Sequence, residues 1–401
     1  MQRSTDRIIT SQVGSLPRPL DLRKLWDDRL AGRPSFDRGA FDARVKTAVA
    51  EMVKQQADCG IDVVSDGEQG RIGWTAFLPE RLAGFEERKI TAPTGGTVTG
   101  RERQKGLFDG YLAERRRLQE MGEGREYVPT PEAAEALRTQ TVAVGKISHK
   151  GTGPIQQEIG FFKEALQGVQ VREAFLPSVG PDNMGYLPGQ NEFYDNQEDF
   201  LRDCAKAIRE EYKAILDAGF VLQIDTPVMK FNALDMDVSS FRKRFGLLVE
   251  VFNETLAGLD GDRIRLHLCY GGGRGPHSED VTLNEFVDLI LQVNAAGLSY
   301  DQNPRHEWEW EIWKDTKLPD GKVLIPGCVG HTNDVIEHPE LVRQRIVRLA
   351  NLVGRENVIA GTDCGFAQSV FGPKIHPDLV WAKFRTLAEG AQLATKELWK
   401  K

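Results

Sequence analysis

His267 and Cys269 stand two residues apart in the stretch IRLHLCYGGG, residues 264–273. Ile264, Leu266 and Leu268 alternate with Arg265, His267 and Cys269, the pattern of a strand, and the glycines end it. A strand has a side-chain period of two, so His267 and Cys269 point to the same face. An imidazole and a thiolate on one face at a strand end can share a metal ion. A small buried Cys beside a hydrogen-bonded His is the ordinary alternative. What separates the two readings is whether further donors arrive at the same place. Cys364 in GTDCGF and Asp301 in SYDQNP each follow another short apolar run. A His, two thiolates and a carboxylate would make a tetrahedral zinc set.

Those runs belong to a repeating pattern. Apolar segments at 7–13, 61–65, 142–147, 220–224, 264–268, 297–300, 322–325 and 357–360 are each followed by an amphipathic stretch, such as EDFLRDCAKAIREEYKAILDAG or PELVRQRIVRLANLVG. Several of these close on Gly, a helix C-terminal signal. Strand and helix in alternation imply a parallel sheet with right-handed crossovers. Eight such units favour an α/β fold of the closed (β/α)8 TIM-barrel type over 1–401, a single domain, with chemistry at the C-terminal strand ends. No GxGxxG opens a helix and no phosphate loop is present, which argues against a dinucleotide fold. Two polar stretches rich in Gly and Pro, about 85–134 and 172–198, read as excursions over the barrel mouth.

Composition narrows the function. A net charge of −7 and a pI near 5.7 give no electrostatic footprint for nucleic acid. The start, MQRSTDRIITSQ, has no apolar signal core, and no window reaches membrane-spanning length. Five scattered cysteines are an odd number and suit a reducing cytoplasm, where a Cys near a His means metal or catalysis more often than a disulfide. Cys59 and Cys204 fall on helical patterns and read as core, and Cys328 as packing.

The motifs VGSLPRP, GIDVVSDGEQGR, LQIDTP, HLCYGGG, PGCVGHTNDVIEHPE, GTDCGF and IHPDLVWAKFRTLAEGAQLA, in this order, resemble the cobalamin-independent methionine synthase family, in its catalytic C-terminal barrel. The likeness spans nearly the whole chain. It implies a zinc ion on His267, Cys269 and Cys364. The family's fourth ligand is a glutamate, where this chain has Asp301; Glu307 and Glu309 are alternatives. It implies a thiol site at Gly14, Ser15, Glu68 and Asp225, and an acid at His331. Without the resemblance, Glu68 reads as a partner of Arg71, Asp225 as a turn residue and His331 as a loop histidine.

The expected activity is zinc-dependent methyl or alkyl transfer to a small thiol, most simply homocysteine to methionine. The methyl donor is open between methyltetrahydrofolate, a corrinoid protein and other alkyl compounds. Two features depart from the family. Thr226 replaces a glutamate, and KGTGPIQQEIGFF lacks the tryptophan that stacks on the pterin. A thiol–epoxide lyase of the coenzyme M type, or a ligand-binding barrel with structural zinc, are the alternatives. Homo-oligomer formation is left open.

Overall fold

The computed structural model describes residues 1–89, 108, 110, 111, 113, 114, 117, 127–184, 189–227, 236–270, 277, 278, 280–302, 304–372 and 375–400. Its strands are β1 (Val63–Val64), β2 (Leu82–Lys89), β3 (Thr139–His149), β4 (Glu173–Val179), β5 (Val221–Asp225), β6 (Ile264–Leu268), β7 (Gly297–Tyr300), β8 (Val323–Val329) and β9 (Gly361–Thr362). Seven of them form a parallel sheet in the order β1-β4-β5-β6-β7-β8-β9. Thr10 bridges Ala360 and Ser11 bridges Val63, both in parallel, so residues 10 and 11 close the sheet into an eight-membered barrel. The closing bonds are Ser11 N to Ala360 O at 2.8 Å and Val63 N to Thr10 O at 3.0 Å.

The third barrel strand is not where the sequence places it. Residues 142–147 do alternate as a strand should, but they lie in β3, paired antiparallel with β2 in a separate hairpin. The barrel position is taken by β4, inside the stretch 172–198 expected as an excursion. Pro177 hides this strand, since proline argues against an interior strand. Here it is tolerated because β1 ends at Val64, opposite Ala174. Beyond that point the Pro177 carbonyl accepts from Arg71 Nη1 at 2.8 Å, so the missing N–H breaks no ladder bond. The expected cover of the mouth by 85–134 falls largely on residues outside the described ones.

Alternation along each strand sorts side chains into two cores. Leu222, Ile224, Leu266, Leu268, Leu298 and Leu324 face the surrounding helices in the main cluster. Ile9, Val63, Phe175, Val221, Val323, Ile325 and Ile359 fill the floor of the lumen. Helices start where a side chain caps them: Asn196 accepts from Asp199 N before Gln197–Asp217, and Asp237 from Ser240 N before Val238–Leu256. No helix among the described residues is long and apolar enough to cross a membrane.

Above the apolar floor sits Arg265, fully inside the lumen. Its guanidinium donates to Gln223 Oε1 (2.8 Å), Ser11 Oγ (2.8 Å) and the Gln12 carbonyl (2.9 Å), and lies 3.7 Å from the Phe175 ring centroid. Burial draws its pKa down to about 9, against the opposing charges of Glu173 and Asp225. Truncating it would remove three buried hydrogen bonds, leave Gln223 Oε1 unpaired and leave the Gln12 carbonyl with only the longer bond from Ser11 Oγ, 3.3 Å. Arg265→Ala should therefore lower the unfolding free energy by about 3–5 kcal/mol, read from urea denaturation.

Candidate metal and thiol site

The strand ends bring three of the expected ligands together. The ligand atoms of His267, Cys269 and Cys364 all lie within 4.8 Å of one another, and all three residues are buried. His267 and Cys269 come from the lumen face of β6 and the residue following it; Cys364 lies two residues past β9. His267 Nδ1 is 3.0 Å from Ser299 Oγ on β7, which leaves the buried Nε2 to the cysteine side of the cluster. That is how a ligating imidazole is arranged, one nitrogen held by a neighbouring polar group and the other left for the metal. The Cys364 thiol is held well below its usual range. A hydrogen bond with Cys269 contributes most, burial opposes it, and His331 and His267 add to it. Two thiols and one imidazole are a donor set suited to a metal ion.

Asp301 is not part of this group. It follows β7, and its Oδ2 accepts the Tyr270 N–H at 2.8 Å. Glu309 is engaged by His306 Nδ1 at 2.7 Å, and Glu307 by Arg345 at 2.7 Å. His331 is buried one residue after Gly330, close enough for its charge to act on Cys364. The Gly330 N–H is tied to Glu337 at 2.7 Å, and Glu337 to Lys383 at 2.8 Å, which anchors this loop to the C-terminal helix Pro377–Trp399.

The carboxylates of the expected thiol site converge as well. Asp225 ends β5 and Glu68 lies in the loop after β1. Burial pushes the Glu68 carboxyl up to about 7, with Arg71 and Arg18 opposing. Asp225 is raised well above its usual range, first by burial and then by the Glu68 charge. The two therefore share one electrostatic environment. Glu68 sits at φ +54°, a left-handed conformation uncommon for a residue other than glycine. Arg18 Nη2 bonds its carbonyl at 2.7 Å and holds that turn. Gly14, at φ +133°, leaves room for the Glu68 carboxylate: a Cβ there would lie 3.2 Å from Oε1. Ser15 faces Gly365, where a Cβ would collide with the Ser15 hydroxyl, so the first loop and the Cys364 loop touch.

Several supporting residues have roles that their motifs do not announce. Gln223 Nε2 donates to Asp225 Oδ1 at 2.8 Å and so connects Arg265 to the mouth. Gln368 Nε2 donates to Cys364 Sγ at 3.4 Å. Arg71 pairs with Glu158 (2.8 Å), Glu158 with Arg81 (2.6 Å) and Arg81 with Glu211 (2.7 Å), a buried chain beneath the Glu68 loop. Thr226 donates to Asp182, whose two carboxylate oxygens each lie 2.7 Å from the hydroxyl. Only the electrostatic effect of Arg71 on Glu68 had a sequence signal, through DGEQGR, and there the guanidinium pairs with Glu158 and not with Glu68.

A barrel with a buried His/Cys/Cys cluster and two buried carboxylates at its C-terminal mouth is the architecture of an enzyme with a candidate metal site there. The model of the family described as cobalamin-independent synthase, catalytic domain, matches residues 8–92 and 190–373, and the chain belongs to that family. Among its relatives is a methionine synthase of Sulfolobus acidocaldarius, 24% identical over 98% of this chain and 94% of that one. The Bacillus subtilis protein YxjH is 23% identical over 93% of this chain and 91% of its own. The fold is shared with a B12-independent methionine synthase of Shewanella sp. W3-18-1, at 19% identity and a TM-score of 0.69, covering 98% of this chain and all of the other. The chain is thus of the methyltransferase class.

The raised Glu68 carboxyl has a consequence for stability. Its folded pKa of about 7 exceeds the ordinary 4.5, so the folded protein binds more protons over that interval. Stability is then greatest below about pH 4.5 as far as this group is concerned, and falls as pH rises toward 7. The loss is on the order of 3 kcal/mol at about 1.4 kcal/mol per unit. Urea unfolding of the metal-free, thiol-free protein between pH 5 and 8 should show this decline, and Glu68→Gln should flatten it.

Proposed function

We propose that the protein methylates homocysteine to methionine, with zinc held by His267, Cys269 and Cys364. The observation that carries this reading is the placement of three soft donors beside two buried carboxylates, Asp225 being raised by burial and by the charge of Glu68. A bound zinc ion would lower the pKa of a coordinated thiol and so keep the substrate sulfur nucleophilic. Three protein donors leave a coordination position for that sulfur. Asp301, engaged by Tyr270 N–H, is then a neighbour that orients the loop after Cys269.

The remaining roles belong to the chain. Glu68 and Asp225 grip the substrate ammonium, which supplies the cation that two carboxylates in one buried pocket require. The backbone and hydroxyl of Ser15 take the carboxylate end. The sulfur lone pair forms the new bond to the methyl carbon while the donor keeps the electron pair of the broken bond. His331 holds the proton that the departing donor atom takes up, general-acid work that an imidazole can do. The Sulfolobus relative is named a methionine synthase, and the Shewanella enzyme was solved in complex with selenomethionine, both in keeping with this reading. A sulfonate thiol of the coenzyme M type fits less well. Arg18 and Arg71, the arginines that act on Glu68, are engaged by backbone carbonyls and by Glu158.

Two measurements test the reading. Metal analysis of Cys269→Ser and Cys364→Ser should show strongly reduced zinc; full occupancy in both would end the assignment. Asp225→Asn should lower kcat/KM for homocysteine by about 30- to 1000-fold, or about 2–4 kcal/mol, and spare 4-mercaptobutanoate, which lacks the amine. Equal loss for both thiols would remove the role of the ammonium.

A further inference from the structure

A zinc site that activates a thiol holds two kinds of sulfur. Cys269 and Cys364 must stay on the ion unchanged, while the substrate sulfur must take the methyl group. Both kinds are soft thiolates on one metal, and an alkylating carbon reacts with the more nucleophilic of them. A hydrogen bond donated to a thiolate draws charge from its lone pairs. A ligand sulfur that accepts one is therefore the poorer nucleophile.

Gln368 supplies such a bond. Its Nε2 lies 3.4 Å from Cys364 Sγ, an ordinary separation for N–H···S because sulfur is larger than oxygen, and 2.8 Å from the Gly365 carbonyl. The carbonyl can only accept, which fixes this end of the amide as nitrogen, and the two hydrogens of the NH2 group serve both acceptors at once. The main chain around Gln368 is held as well. Trp74 N donates to the Gln368 carbonyl at 3.1 Å, and Val370 N donates to the Ile72 carbonyl at 2.9 Å. Gly73 lies close against this strip, since a Cβ there would stand 3.1 Å from the Gln368 carbonyl oxygen. Gln368 is thus pinned to the segment that follows the Glu68 loop, and its amide reaches the ligand from a fixed base.

On the zinc reading above, we infer that Gln368 is a positioning residue that acts through Cys364: its N–H···S bond lowers the nucleophilicity of that ligand, so that the methyl group goes to the substrate sulfur and not to the protein. The side reaction it suppresses is a simple displacement. A lone pair of the Cys364 sulfur would form the S–C bond, and the methyl carrier would leave with the electron pair of the bond it loses. A neutral thioether would then stand where a thiolate ligand had been. A hydrogen bond to a charged group changes its basicity by about one to two orders of magnitude, and thiolate nucleophilicity follows with an exponent of about 0.4–0.5. The protection is therefore about 3- to 10-fold.

The test treats the zinc-loaded full chain with methyl iodide and reads S-methylation of Cys364 and Cys269 separately, by peptide mass spectrometry. Gln368→Met keeps the length of the side chain without the N–H, and Gln368→Glu keeps its shape with a carboxylate oxygen in place of the donor. Each should methylate Cys364 about 3- to 10-fold faster than the wild type, with Cys269 changed by less than about twofold. Melting curves and metal analysis confirm that each variant is folded and loaded. An unchanged Cys364 rate in a folded, loaded variant overturns the inference. Equal acceleration of both cysteines overturns it too, since that reports a loosened site and not a lost bond. Zinc content of the wild-type chain is measured first. Missing zinc there removes the metal reading and this inference with it, whereas unmoved alkylation in a chain that holds zinc counts against Gln368 alone.

Discussion

The site depends on closure of the barrel through the two-residue strand at Thr10 and Ser11, which hydrogen-bonds to Ala360 on one side and Val63 on the other. Gly14 and Ser15 follow that strand within a few residues, and Cys364 follows β9 just as closely. Only closure places the first and last loops of the chain in contact, where Phe366 N donates to the Ser15 carbonyl at 2.8 Å. So short a strand cannot hold itself in place by its own ladder. The C-terminal helix Pro377–Trp399 assists: Thr395 Oγ1 accepts the Ile8 N–H at 3.0 Å. Ligands from strands separated by β7 and β8 meet because both point into one lumen.

That lumen is layered. An apolar floor carries Arg265, whose charge is dispersed over Gln223, Ser11, Gln12 and the Phe175 ring. Gln223 passes the contact upward to Asp225, so the carboxylate at the mouth is oriented from below by a group that never reaches the substrate. Under the Glu68 loop, the Arg71–Glu158–Arg81–Glu211 chain does the same from the side. Buried ion pairs add little to net stability, since desolvation offsets their attraction. Their effect here is geometric: they keep Glu68 in its left-handed conformation with its carboxylate against Gly14. Such support is what a preorganised polar site requires.

Much of this was legible in the sequence because period-two alternation carries two messages at once. Leu266 and Leu268 announce the helix-facing core, and Arg265, His267 and Cys269 announce the lumen. Glycine-rich strand ends then mark the mouth, and Cys364 and Asp225 fall there without any structural knowledge. The third strand was hidden because local pattern and tertiary pairing disagree. TVAVGKIS has the better alternation but finds an antiparallel partner, whereas EAFLPSV contains a proline that only an early-ending neighbour makes harmless. Asp301 stands at the expected strand end, and its Oδ2 accepts the Tyr270 N–H in the turn after Cys269, a contact that no local pattern announces. Gln223, Ser299, Gln368 and Asn183 had no signal at all, since an amide or hydroxyl acquires its role only from what folding brings beside it.

Thr226 shows how a departure from a family pattern can be absorbed. A glutamate in that position would bring its own carboxylate to the end of β5. Here the hydroxyl instead holds Asp182, delivered from the turn after β4, so a negative charge returns to the same corner from a different strand. The backbone cooperates, because Gly180 has no room for a Cβ between Asp182, Phe252 and Thr226. The exchange also changes the shape of the corner. Asp182 is one residue from Asn183, whose Nδ2 donates to the Asp225 carbonyl at 2.6 Å, so the turn that supplies the charge also braces the end of β5.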